Sequence, residues 1–135
     1  MFEHTITVQV RYAETDQMGF VYHANYLAWF EMARVRMLDA LELSYRQLEA
    51  EGAFLPVLEA NVRYRQPAYF DDLLTVQVRL PEKPRVRIRL EYQVLRDEAL
   101  LAEGFTQHAW IGKEGRSIRP PDSWRQKLDA LFQPD

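Results

Sequence analysis

Asn25-Tyr26-Leu27-Ala28-Trp29-Phe30-Glu31-Met32-Ala33-Arg34-Val35-Arg36-Met37-Leu38-Asp39-Ala40-Leu41 reads with a helical period from end to end. Tyr26, Phe30, Ala33, Met37 and Leu41 recur every three or four residues, and Leu27, Trp29 and Leu38 widen the stripe. No glycine or proline interrupts it. The spacing predicts one long helix, from about Asn25 to Leu41, with a broad apolar face. Asn25 reads as its cap or as a brace for the preceding loop. Glu31 and Arg34 are three apart, so they predict a structural ion pair on the helix surface. A face this broad needs a large apolar surface to cover it, and a curved sheet wrapped around the helix supplies one.

The flanking segments are the strands of such a sheet. Upstream, Ile6, Val8, Val10 and Tyr12 alternate with Thr5, Thr7, Gln9 and Arg11, the pattern of a half-buried strand. Downstream, Ser44-Tyr45-Arg46-Gln47 has the spacing of a capping box, and Gly52 stops the short helix that follows. Four strand-like runs come next. The first carries Val62 and Tyr64 and stops at Pro67. The second carries Leu74, Val76, Val78 and Leu80. The third carries Val86, Ile88, Leu90, Tyr92 and Val94. The fourth covers about Leu100 to Ile111. Pro81 and Pro84 mark the hairpin between the second and third. Gly104 reads as a bulge or as a close approach to the long helix. Pro120-Pro121 ends the sheet portion, and Asp122 or Ser123 caps a short C-terminal helix over about 123–132. The expected class is α+β, with a largely antiparallel five-stranded sheet around one central helix and one domain over 1–135.

The chain has 135 residues, a net charge of −3 and no cysteine. One core of ordinary size fits that length. The charge offers no nucleic-acid footprint. The absence of cysteine removes disulfides, thiolate metal sites and cysteine nucleophiles. No stretch has the pattern of a signal peptide or the length of a membrane span, so a cytoplasmic location is expected.

Chemistry concentrates in the segment before the helix: Tyr12-Ala13-Glu14-Thr15-Asp16-Gln17-Met18-Gly19-Phe20-Val21-Tyr22-His23-Ala24-Asn25-Tyr26. A helix start presents unpaired backbone N–H groups and a partial positive charge. Such a place can hold a carbonyl oxygen as it becomes an oxyanion. Asp16 lies a few residues upstream, where its carboxylate can face the same carbon. Carboxylate and oxyanion hole together make a workable acyl-transfer site. The same residues also read as turn and cap chemistry, with Gly19 supplying a positive φ.

Asp16-x-x-Gly19-x-Val21-Tyr22-His23-Ala24-Asn25-Tyr26, preceded by Tyr12, resembles the signature of acyl-CoA thioesterases of the hotdog fold. The resemblance is to the 4-hydroxybenzoyl-CoA thioesterase family, and within it to the YbgC-like branch. It continues through Glu31-Met32-Ala33-Arg34, Tyr64-Arg65-Gln66-Pro67-Ala68 and Asp71-Asp72-Leu73-Leu74, and covers roughly residues 5–120. The resemblance implies hydrolysis of an acyl-CoA or acyl-carrier thioester. Asp16 would be the nucleophile or the base that activates water. The backbone N–H of His23 would hold the carbonyl oxygen, with its imidazole as a further donor. Tyr12 would donate a positioning hydrogen bond, with core packing as the rival reading. Tyr26, with Phe20, Tyr22, Trp29 and Phe54, would line the acyl pocket or fill the core.

Coenzyme A enters only as part of the substrate; no cofactor and no metal site is implied. Its phosphates need a basic rim, for which Lys83 and Arg85 are the candidates, with Arg63, Arg65, Arg79, Arg87 and Arg89 behind them. The alternation of Arg85, Arg87 and Arg89 with apolar residues also reads as a solvated sheet face. His4 and His108 match no functional position and read as structural. Resembling proteins join their sheets into dimers, with sites near the subunit boundary, and many pair again into tetramers. A hotdog dehydratase or hydratase, and a non-catalytic acyl-thioester binder, are the alternatives on the same fold.

Overall fold

The computed structural model describes residues 1–133. The strands are β1 (Phe2–Gln9), β2 (Val57–Tyr64), β3 (Leu73–Leu80), β4 (Ile88–Arg96) and β5 (Ala99–His108). They form one sheet in the order β1-β3-β4-β5-β2, antiparallel at every junction. The helices are α1 (Asn25–Ala40), α2 (Tyr45–Ala50) and α3 (Asp122–Leu131). This is the expected element order, with α1 packed on one face of the sheet.

Strict alternation builds that face. Leu74, Val76, Val78 and Leu80 of β3 are fully buried, and Ile88, Leu90, Tyr92 and Val94 of β4 nearly so. The residues between them, such as Gln77, Arg79, Arg89 and Glu91, face away. From the helix side come Tyr26, Trp29, Phe30, Ala33, Met37 and Leu38. Phe30 stacks flat on Tyr92, with ring centroids 4.2 Å apart. Each large side chain removed from water here contributes about 1.5–3 kcal/mol.

Gly104 is required by a close approach. A Cβ placed there would stand 2.0 Å from the Asn61 carbonyl oxygen and 3.1 Å from the Phe30 ring. The sheet irregularities lie elsewhere, between Val94 and Leu95 and between Val57 and Glu59. At the far end, Trp124 of α3 meets Trp110 edge-on at 5.5 Å.

Four details differ from the sequence reading. β1 ends at Gln9, and Tyr12 opens a 3-10 turn (Tyr12–Glu14) with its side chain 76% exposed. The cause is local: the Glu14 carboxylate accepts the Arg11 N–H and folds the chain up. β4 begins at Ile88, leaving Val86 81% exposed in the hairpin. Pro84 has no N–H to give a ladder, so pairing starts later. The N-cap of α3 is Pro121, and Asp122 is already helical.

The fourth difference is Arg34. It makes no ion pair with Glu31 among the described residues but turns inward, 6% exposed. There its Nη1 donates to the Tyr92 hydroxyl at 3.1 Å. The Tyr92 and Thr106 hydroxyls are 2.7 Å apart, and Thr106 lies 2.8 Å from His108 Nε2. His108 Nδ1 faces the Pro56 carbonyl at 3.1 Å. A carbonyl only accepts, so Nδ1 carries the proton and Nε2 accepts. Every bond in the chain then points one way, from Arg34 through Tyr92 and Thr106 to His108. Burial first, and the Arg34 charge second, lower the His108 pKa to about 4. His108 is therefore a neutral core residue.

Candidate active site

The segment between β1 and α1 leaves the sheet and returns in two tied limbs. Val10 N–H donates to Asp72 O, and Asp71 N–H donates to Val10 O, which pins the exit. After the 3-10 turn, Thr15 and Val21 form an isolated antiparallel bridge. Asp16 sits in the small hairpin that this bridge closes. Its N–H donates to Phe20 O, its carbonyl accepts from Gly19 N–H, and its Oδ1 accepts the Met18 N–H at 2.9 Å. Gly19 has φ +89°, the left-handed conformation this reversal requires. The return limb is held by Val21 N–H to Ala68 O and Tyr22 N–H to Glu14 O.

α1 starts where the limb ends. Its cap is Ala24, with no side-chain cap bond. Asn25 acts as a loop brace, its Nδ2 donating to the Glu14 carbonyl at 2.8 Å. Among the described residues, no backbone carbonyl accepts the N–H groups of His23 and Ala24. These donors stand at the positive end of the helix dipole.

Asp16, His23 and Tyr26 line one cavity of about 460 Å³ together with Phe20, Val21, Tyr64 and Pro67. Its walls are mainly apolar. The Tyr64 hydroxyl donates to the His23 carbonyl at 2.9 Å, and its ring stands edge-on to Tyr26 at 5.1 Å. Burial, and then the neighbouring Tyr64, raise the pKa of Tyr26; burial raises that of Tyr64. Both therefore remain phenols at neutral pH and serve as donors rather than bases. The carboxylate at the cavity is that of Asp16, and His23 lines the same cavity.

Of the other residues singled out from the sequence, Arg65 lines this cavity, paired with Glu103 at 3.3 Å, and the rest lie apart. Tyr12 does not line this cavity; its ring meets Phe70 edge-on at 5.6 Å. Lys83 and Arg85 line a separate groove of about 600 Å³ at the β3–β4 hairpin, at the opposite end of the strands. There Lys83 pairs with Asp129 of α3. Two residues given no role from the sequence bear on the site, Tyr64 by lining the cavity and Glu14 by bracing the loop behind it. Tyr64 lies in the Tyr64-Arg65-Gln66-Pro67 motif, which was the available signal. Glu14 has only its closeness to Asp16 to announce it.

The fold is that of a known class. A match to the thioesterase-like superfamily covers residues 10–128. The chain belongs to that superfamily. It is 34% identical over 106 residues to a Haemophilus influenzae protein named acyl-CoA thioesterase YbgC, covering 77% of each chain. Two solved structures superpose closely. One is a hypothetical protein, TT1821, from Thermus thermophilus, with TM-score 0.90 and 39% identity, covering 98% of this chain and 100% of that one. The other is a DHNA-CoA thioesterase from Staphylococcus aureus, with TM-score 0.91 and 29% identity, covering 97% and 91%.

Proposed function

We propose that the protein hydrolyses an acyl-CoA, or a related acyl thioester, to a carboxylic acid and a free thiol. The observation that carries this reading is the Asp16 carboxylate sharing one largely apolar cavity with the unaccepted N–H donors that open α1. The acyl group enters between Tyr26, Tyr64 and Phe20. The thioester oxygen lies at the His23 N–H, which stabilises the negative charge that develops there. Asp16 either attacks the carbonyl carbon, expelling the thiolate and leaving an anhydride for water to open, or takes a proton from the attacking water. In both routes one water is consumed and the C–S bond breaks. The printed names of the Haemophilus influenzae and Staphylococcus aureus proteins support the substrate class.

The catalytic unit in this proposal is a homodimer joined through β2. What supports it is the state of that strand. It is one edge of the sheet, and of its eight residues only Val62 is even half-buried. Ala60, Val62 and Tyr64 pair with Thr106, Gly104 and Ala102, so they form a row on the α1 side of the sheet. Val57, Leu58 and Tyr64 are each about half exposed. The opposite edge, β1, carries Glu3, Thr5, Thr7 and Gln9 on its exposed side. An apolar free edge favours pairing with another chain, and a two-fold axis makes that pairing antiparallel.

This geometry gives Lys83 and Arg85 a place in the proposal. Tyr64, Ala102 and Val94 share one row, and Ile88, next to the hairpin, is six residues farther down. The chain's own hairpin is therefore roughly 20 Å along the strands from the pocket. Antiparallel β2 pairing turns the partner's hairpin toward the pocket, about 14 Å away across three strand spacings. Arg85, in the same hairpin as the Lys83–Asp129 pair, then meets the coenzyme A phosphates in trans. Thiol release measured across short aliphatic, long aliphatic and aromatic acyl-CoAs tests the proposed activity. Turnover of at least one class is expected; none with any class overturns it.

A further inference from the structure

Glu14 is buried in a segment whose neighbours are exposed. It is 6% accessible, whereas Arg11, Tyr12 and Ala13 face solvent. A carboxylate is removed from water only when its oxygens find donors. Here they find two hydrogen-bond donors, and the Arg11 guanidinium stands 3.5 Å from Oε1 as well. Oε1 accepts the Arg11 N–H at 2.8 Å. Oε2 accepts the Trp29 Nε1–H at 2.8 Å, inside the core side of α1. The main-chain carbonyl of the same residue accepts from Tyr22 N–H at 2.8 Å and from Asn25 Nδ2 at 2.8 Å. One residue thus joins the exit of β1, the return limb of the loop and the first two turns of α1.

Asp16 hangs from this anchor. It is two residues on, and the hairpin that carries it begins at Thr15. The N–H of His23 lies between the two helix-side attachments of the Glu14 carbonyl, Tyr22 and Asn25. Without the Glu14 side chain, the six residues between Asp16 and His23 would keep their own main-chain bonds but lose the tie that fixes them to the core through Trp29. With it, both ends of that loop are referred to Trp29, a residue 1% exposed in the core.

We infer that Glu14 is the positioning residue of the site: it sets the placement of the Asp16 carboxylate relative to the His23 N–H, without touching substrate. The inference rests on the reading of Asp16 as the reacting carboxylate. Misplacing a reacting group by about 1 Å costs up to about a hundredfold in rate. The part of acyl binding made by Tyr26 and Tyr64, outside that loop, is left intact.

The test compares wild type, Glu14→Gln and Glu14→Ala by steady-state kinetics with an acyl-CoA that the wild type turns over. Amide hydrogen exchange over residues 15–23 is followed in parallel. In Glu14→Ala, kcat is expected to fall about 30–100-fold with KM within about threefold. Glu14→Gln keeps one accepting oxygen but sets its NH2 against the other donor, so it recovers only part of the loss, to about three- to tenfold below wild type. Exchange at 15–23 rises in both variants while the β3 and β4 amides keep their protection. A folded Glu14→Ala or Glu14→Gln with wild-type kcat overturns the inference, as does a loss confined to KM. If Glu14→Ala does not fold, Glu14→Gln alone decides on the same criteria. A wild type that releases no thiol refutes the reading of Asp16 instead. The exchange comparison then stands by itself, and unchanged exchange at 15–23 overturns the anchoring role.

Discussion

The Tyr64 hydroxyl reaches from the last residue of β2 to the main-chain carbonyl of His23, 2.9 Å away, at the start of α1. An edge strand is thereby fastened to the loop that carries the reactive groups. The bond leaves the His23 N–H free and fixes the peptide plane that follows it. Tyr64→Phe removes this one bond and keeps the ring against Tyr26. A half-exposed hydrogen bond contributes about 0.5–1.5 kcal/mol. The expected result is a fall in kcat/KM of about three- to tenfold with the thermal midpoint changed by only a few degrees. Steady-state kinetics and a melting curve check it.

In the proposed site His23 serves through its backbone N–H. His23→Ala keeps the N–H at the helix start and removes only the imidazole. Its kcat is expected within about tenfold of wild type, whereas loss of a general base or nucleophile costs about 10²–10⁴-fold. Equal losses from His23→Ala and from substitution of Asp16, with folding preserved in both, would show that the imidazole takes part directly.

The role given to the hairpin in trans has a clear signature in mixed dimers. Asp16→Asn chains and Arg85→Ala chains are each expected to be impaired as homodimers, the first in kcat and the second in KM. A dimer made of one of each contains one site with both defects and one with neither. Mixing the two proteins through reversible dissociation should therefore restore turnover at the wild-type KM. If the hairpin acts in its own chain, every active site in the mixture keeps the raised KM.

Acid should unfold the protein partly through His108. Its native pKa of about 4 lies below the ordinary 6.5. Between these values the unfolded chain binds more protons than the native one, so stability falls as pH falls. The contribution is complete above about pH 6.5 and is lost progressively toward pH 4, a total of roughly 3 kcal/mol. His108→Gln offers a neutral donor and acceptor with no proton to gain. Its denaturant midpoint should vary less across that window than that of wild type. Parallel curves for the two proteins would show that other groups govern acid unfolding.

Where local pattern and burial agree, the sequence was sufficient. Alternation over Leu74–Leu80 and Leu90–Val94, and the three-to-four spacing from Tyr26 to Met37, each describe one face of one element, and the fold follows from matching those faces. Asn25 was legible as a brace and Ser44 as the cap of α2, whose Gln47 N–H it accepts at 3.4 Å. Contacts between distant residues were not legible. Arg34 has a surface partner available at Glu31, and only the opposing Tyr92 hydroxyl, 58 positions away, explains why it turns inward. Tyr12 continues the alternation of β1 in sequence, but Glu14 bends the chain before the strand can extend that far. Asp16 stood out through the resemblance carried by Asp16-x-x-Gly19-x-Val21-Tyr22-His23, since a carboxylate near a helix start also reads as ordinary turn and cap chemistry. Glu14 did not, since its value depends on Trp29 lying across the loop.

The central claim is that the Asp16 carboxylate acts on a thioester held at the start of α1. Free-thiol release from an acyl-CoA, compared between wild type and Asp16→Asn with circular dichroism confirming the fold, tests it most directly. Asparagine keeps the shape and an accepting oxygen for the Met18 N–H but can neither attack as a carboxylate nor accept the proton. Turnover by wild type that falls about 10²–10⁴-fold in Asp16→Asn is the predicted result. Undiminished thiol release by a folded Asp16→Asn protein would contradict the account.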